Sequence, residues 1–273
     1  MLHVSDSHLC LVTDNDNERK HKVAGSRINV FPKSLEYWNE SIRFSKENDL
    51  VYVHTGDAID FVSEGNLIAA SNGFKELDAM ACSGNHEFSQ YIGEAREDEA
   101  YKKLSYNEVQ KAFPNDLKVS SRVLNGVNFV AIDDVYYYVT EEIAQLVRKE
   151  FAKGLPVILL CHVPFYTPGL CVDSLKRNNG TCAYLTGAPI EITSTYQNNP
   201  DLPEDLQWKN RDIQQKADAT TLAFQDWLRN QPLLKGILSG HLHHFYQETF
   251  SETAVQYVVG AGYDGDAYLV TVE

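Results

Sequence analysis

The sequence predicts an α/β fold, a single domain spanning residues 1–273 around a central mixed sheet. Three observations carry this. The first third alternates short apolar runs with amphipathic stretches in the order strand, helix, strand, helix, strand. Pro156-Val157-Ile158-Leu159-Leu160-Cys161 is apolar throughout, the pattern of a strand buried on both faces. Val119 to Val123 and Val127 to Asp133 flank Asn125-Gly126, the strongest hairpin signal in the chain. No repeat or linker divides the 273 residues.

Taken in order, the first strand is Leu2-His3-Val4, and it runs into Asp6-Ser7-His8. Ligands in open α/β sheets gather at such C-terminal strand ends. Alone, the pair reads as an Asx turn with a surface histidine. Residues 13–27 are polar and without period, and read as a loop. Ser34 opens a helix with Leu35, Trp38 and Ile42 on its core face, ending at Asn48-Asp49. Leu50 to His54 forms the second strand, ending at Thr55-Gly56-Asp57 with Asp60 beyond. Gly then Asp at a strand end is a turn, or a close approach to a metal or phosphate. Asp60 either holds a neighbouring ligand or caps a helix. His3 and His54 are expected in the core or behind the ligands.

Ser63 to Leu77 reads as a helix, and Ala79 to Cys82 as a strand that delivers Gly84-Asn85-His86-Glu87. Asn85 offers a carbonyl oxygen; His86 offers a nitrogen that binds metal or moves a proton. Glu94 to Glu99 is a solvated charged stretch. Ser105 with Glu108 fits a capping box for a short helix ending near Phe113-Pro114. Thr140 caps a helix through Lys153. The apolar strand at 156–161 then delivers His162, which alone is more often a satisfied core residue.

Residues 165–216 are rich in Pro, Gly, Asn, Thr and Tyr, and read as a cap or rim insertion. Phe165, Tyr166, Tyr184, Tyr196 and Trp208 either wall the site or pin the segment. A helix from Thr220 to Arg229 and a strand at Gly236 to Ser239 lead to Gly240-His241-Leu242-His243. Side chains alternate in extended chain, so His241 and His243 would share one face and chelate a metal. Strands at 254–259 and 266–272 close the chain.

The net charge of −14 argues against a polyanion-binding surface, so polymeric nucleic acid is not an expected partner. Carboxylates clustered for cations would account for part of it. No apolar run is long enough to span a bilayer, and no basic-then-apolar leader is visible, so the expected setting is the cytoplasm. Met1 lies close before the first strand, so no leading domain is expected. Of five cysteines, Cys10, Cys82 and Cys161 adjoin apolar strands and are expected to be buried thiols. Cys171 and Cys182 fall in a polar loop and would pair only in an exported chain.

Asp6-Ser7-His8, Gly56-Asp57, Gly84-Asn85-His86-Glu87, His162 and Gly240-His241-Leu242-His243 stand in a fixed order over nearly the whole chain. Together they resemble the five signature blocks of the calcineurin-like metallophosphoesterases. The resemblance implies a four-layer α/β/β/α sandwich with two divalent metal ions at the sheet edge. By position, Asp6, His8 and His243 would bind one metal and Asn85, His162 and His241 the other, with Asp57 bridging. His86 would be the catalytic histidine, and Glu87 would orient a ligand from behind. The implied reaction is phosphoester hydrolysis, in which a metal-bridging hydroxide attacks phosphorus in line. The mixed N/O donor set suits manganese, iron or zinc better than calcium.

Departures narrow the branch. No arginine closely follows Gly56-Asp57 or Gly84-Asn85-His86-Glu87, so the phosphate clamps of protein Ser/Thr phosphatases are missing. Asp60 stands where purple acid phosphatases place a metal-binding tyrosine. What remains looks like the bacterial phosphodiesterase-type branch, acting on a small phosphodiester or phosphomonoester, with no protein partner implied. A nuclease of the same family, and a non-catalytic scaffold on the same fold, are the alternatives.

Overall fold

The structure is a computed structural model, and it describes residues 1–92, 99–178, 184–189 and 217–272. Two mixed sheets form the centre. The first contains β1 Leu2–Val4, β2 Tyr52–Thr55 and β3 Met80–Cys82. The second contains β4 Val119–Leu124, β5 Val127–Ile132, β6 Val157–Leu160, β7 Leu234–Ser239, β8 Tyr246–Thr249 and β9 Val255–Val258. The last strand, β10 Tyr268–Leu269, returns to the first sheet. The strand orders are β10-β1-β2-β3 and β4-β5-β6-β7-β9-β8. Strands β1, β2 and β3 are mutually parallel, as are β5, β6, β7 and β9. The outer pairs β10-β1, β4-β5 and β8-β9 are antiparallel.

Side-chain alternation produces the layers. In β2, Tyr52 packs outward against helices, whereas Val53 points at the other sheet. In β6, Val157 and Leu159 face outward, and Ile158 and Leu160 face inward. The inward residues meet Met80, Cys82, Phe129, Ala131 and Leu238 in a core between the sheets. Residues 13–27, read from sequence as a loop, instead contain the first helix, α1 Glu18–Arg27. Helices α2 Ser34–Glu47, α3 Glu64–Glu76 and α4 Glu99–Ala112 lie on the four-stranded side. Helices α5 Glu141–Phe151 and, past α6 Pro168–Arg177, α7 Ala219–Arg229 cover the six-stranded side. This is the expected α/β/β/α sandwich.

The structure corrects the sequence reading in several places. Helix α1 is capped by Asn17, whose side chain accepts from the Lys20 N–H. Only Ala24 of α1 is buried, so it shows no apolar stripe for a period search to find. Ser105 caps nothing. It lies inside α4 and donates to the Phe88 carbonyl at 3.0 Å. The 165–216 stretch opens with α6, and Cys171 is buried on that helix as a free thiol rather than lying in a polar loop. Cys182, Tyr196, Trp208 and most of the 94–99 stretch lie outside the described residues. Strand β8 has no counterpart in the sequence reading, and the final strand is only two residues long. Among the described residues, no helix is long and apolar enough to cross a membrane.

Asn125 and Gly126 both take positive φ, 49° and 82°, as a type I′ turn requires. A side chain at 126 would meet nothing within 4 Å, so only backbone strain opposes one. Gly126→Ala is therefore expected to destabilise the fold by about 1 kcal/mol, read from the shift of a urea unfolding midpoint.

Candidate metal centre

The parallel strands of both sheets end at one edge, and their ends supply the side chains of the site. Asp6 and His8 follow β1, Asp57 follows β2, and Asn85 and His86 follow β3. From the second sheet, His162 follows β6, and His241 and His243 follow β7. The loops leave little room. A Cβ at Gly56, where φ is 96°, would stand 2.6 Å from His162 Nδ1 and 2.7 Å from the Gly84 nitrogen. A Cβ at Gly84 would run into the Asp57 carboxylate.

Two groups of three donors result, Asp6 with His8 and His243, and Asp57 with His162 and His241. In the first, His243 Nε2 lies 3.2 Å from both Asp6 Oδ1 and His8 Nε2. In the second, His162 Nε2 lies 3.3 Å from Asp57 Oδ2, 3.1 Å from His241 Nδ1 and 3.3 Å from Asn85 Oδ1. Asp57 Oδ2 is also 3.8 Å from His8 Nε2, which puts it between the groups. Donors each about 2.1 Å from one cation stand roughly 3.0–3.4 Å apart, so these spacings fit metal ligation. Asp6 Oδ1 is buried without a hydrogen-bond donor, which a cation would remedy. His86 makes a third grouping with His8 and Asp57.

The far side of each ring is held. Asp60 Oδ1 takes His8 Nδ1 at 2.9 Å, and the Thr55 carbonyl takes His162 Nδ1 at 2.7 Å. The Tyr137 hydroxyl is 3.3 Å from His241 Nε2, and the Tyr263 hydroxyl is 3.2 Å from His243 Nδ1. These contacts leave Nε2 of His8, His162 and His243, and Nδ1 of His241, to face the centre. The carboxylates are held as well. Asp6 Oδ2 accepts the His241 N–H at 2.8 Å, and Asp57 Oδ1 accepts the His86 N–H at 2.8 Å. Glu87 accepts from the backbone nitrogens of Asp57, Ala58, Ile59 and Gly84 at 2.5–3.2 Å, which ties the β2 and β3 loops together.

Charge is concentrated here. Burial opposes ionisation of Asp57, yet the surrounding histidines, His162 foremost, hold its carboxyl well below the usual range. Burial likewise opposes a charged His86, but Asp57 and Asp60 outweigh it and lift the imidazole to about 9. Burial and the neighbouring His162 push His241 down to about 3. For Glu87, burial and then the Asp57 charge raise the carboxyl to about 7.

A family profile for calcineurin-like phosphoesterases matches residues 1–245. The chain belongs to that family. Its members are hydrolases acting on phosphoester bonds, and the donor groups above are its candidate metal ligands. Similar solved structures include a dimetal phosphatase from Danio rerio, 12% identical, covering 96% of this chain and 87% of that one at a TM-score of 0.48. A 5′-nucleotidase from Candida albicans is 12% identical, covering 96% and 46%, with a TM-score of 0.42. The NAD nucleotidase of Haemophilus influenzae is 13% identical, covering 99% and 48%, with a TM-score of 0.40. The chain thus spans about half the length of the two nucleotidases. Comparison with curated proteins found no match.

All seven sequence-predicted ligand positions and His86 converge at this edge. Asp60 is no helix cap: it faces His8, His86 and Arg27. His3 and His54 are buried behind the ligands, on Thr55 and Ser7. One expectation fails in its reason. Residues 241 and 243 are not extended; both take positive φ, 68° and 56°, and reach the centre from a turn. Sequence reasoning missed Arg27, Tyr137, Tyr263 and Asp134. Asp134 accepts the His162 N–H at 3.0 Å. Its place in Asp133-Asp134, at the end of the hairpin strand, was the available signal.

Manganese or zinc is expected to stabilise the fold by about 2.7 kcal/mol at a hundredfold excess over Kd, seen as a raised melting temperature that EDTA reverses. Calorimetry with metal titration checks this. Glu87→Gln would turn an amide N–H toward backbone donors and cost about 1–3 kcal/mol in urea unfolding.

Proposed function

We propose that this phosphoesterase uses two divalent cations, manganese, iron or zinc, to hydrolyse a small phosphodiester or phosphomonoester. The observation that carries the reading is the pair of donor groups meeting at Asp57, with His86 beside them. Asp6, His8 and His243 would hold one cation; Asn85, His162 and His241 the other; Asp57 both. Bound there, the cations supply positive charge for phosphoryl oxygens and lower the pKa of water toward neutrality.

The chain's own groups do the rest. His86 is pinned through Nδ1, 2.8 Å from the Asp60 carbonyl, which leaves Nε2 for the reacting phosphoester. A charged imidazole there stabilises the equatorial oxygens or protonates the leaving alkoxide. The His86 and His243 side chains are partly exposed, so substrate reaches this side from solvent. The 165–216 stretch begins close after His162, and Tyr184 packs its ring against His241. We assign that stretch the role of a rim that selects substrate within a single domain.

Metal-loaded protein is expected to hydrolyse bis-p-nitrophenyl phosphate or p-nitrophenyl phosphate. His86→Ala should lower kcat by about 10²–10⁴ while cation binding persists. A metal-loaded protein inert toward a broad phosphoester panel would overturn the proposal.

A further inference from the structure

Asp60 is fully buried, and one of its oxygens carries several contacts. Oδ1 lies 2.9 Å from His8 Nδ1 and 3.2 Å from His86 Nδ1. Arg27, the last residue of α1, closes on the same carboxylate. Its Nε is 2.6 Å from Oδ2 and its Nη2 is 2.9 Å from Oδ1. This is a bidentate fork, which fixes the plane of a carboxylate as well as its charge. A second line runs from the same helix end. The Arg27 guanidinium lies 4.8 Å from the centre of the Phe31 ring, and that ring stacks on His8 at 4.6 Å.

We propose that Arg27 is a positioning residue of the metal centre. It locks the Asp60 carboxylate, which in turn holds His8 toward the cation and sets a negative charge 3.2 Å from His86 Nδ1, a ring whose hydrogen bond goes to the Asp60 carbonyl. The inference rests on the proposed function for the roles of those two histidines. Without Arg27, Oδ2 would be a buried anionic oxygen lacking its partner, and the carboxylate would be free to turn away from one ring. Because Nε and Nη2 are both engaged with Asp60, Arg27 is posed as a brace rather than as the phosphate clamp missing from the sequence motifs.

The test compares Arg27→Met and Arg27→Lys with the wild type and with Lys22→Met, an exposed control on the same helix. Cation affinity is read by competition with a chromophoric chelator, and kcat and KM on bis-p-nitrophenyl phosphate. Arg27→Met is expected to lose about 10–100-fold in affinity for one of two cations and a similar factor in kcat. KM should stay within about threefold, since no substrate contact is removed. Added guanidinium ion should restore part of the kcat of Arg27→Met. Arg27→Lys should fall between, because an ammonium cannot span both oxygens. If Arg27→Met does not fold, Arg27→Lys decides on the same two readouts.

Unchanged affinity and kcat would overturn the proposal. So would a raised KM at constant kcat, which would make Arg27 a substrate contact. If wild-type protein binds two cations yet hydrolyses nothing, the proposed function fails, and the affinity comparison still decides the role of Arg27.

Discussion

Two buried carboxylates and four imidazoles face one another across gaps of 3.1–3.9 Å, and the rest of the structure answers to that arrangement. Lone pairs and negative charges so close together repel unless something positive lies between them. Each donor must therefore be held from behind. The Thr55 carbonyl, Asp60, Tyr137 and Tyr263 hold the rings, and the His86 and His241 backbone nitrogens hold the carboxylates. Glu87 secures the loops that carry them.

The backbone shares the strain. Asp6, His8, Asp57, His241 and His243 all have φ between 46° and 68°. Left-handed geometry costs on the order of 1 kcal/mol or more for a residue with a Cβ, and clusters of it mark functional sites. Tyr137, with φ of 71°, touches His241 and shares the feature. Asn85 reaches the same centre with right-handed geometry, φ −72°, so among the donors the left-handed turns are confined to the ends of β1, β2 and β7.

Much of the layered fold was legible, because β6 is apolar throughout and Asn125-Gly126 names its own turn. The candidate ligand positions were legible because the motifs at successive strand ends, weak singly, together resemble the family's signature blocks in order. What stayed hidden depends on distance in the fold. Helix α1 has a single buried residue, so its sequence resembles a loop, and Arg27 went with it. Tyr137 and Tyr263 are ordinary aromatics in sequence, and only folding sets their hydroxyls against histidines. Ser105 misled because a capping pattern also arises by chance inside a helix.

The donors are divided between the two sheets. Asp6, His8, Asp57 and Asn85 come from the four-stranded sheet, and His162, His241 and His243 from the six-stranded one. Neither sheet alone supplies all three members of either candidate donor group. The last contributors lie 235 residues along the chain from the first, so their meeting closes very long loops. On the proposed ligand assignment, a cation would find its full set of donors only where the two halves have docked, so its binding would report on the assembled chain rather than on either part.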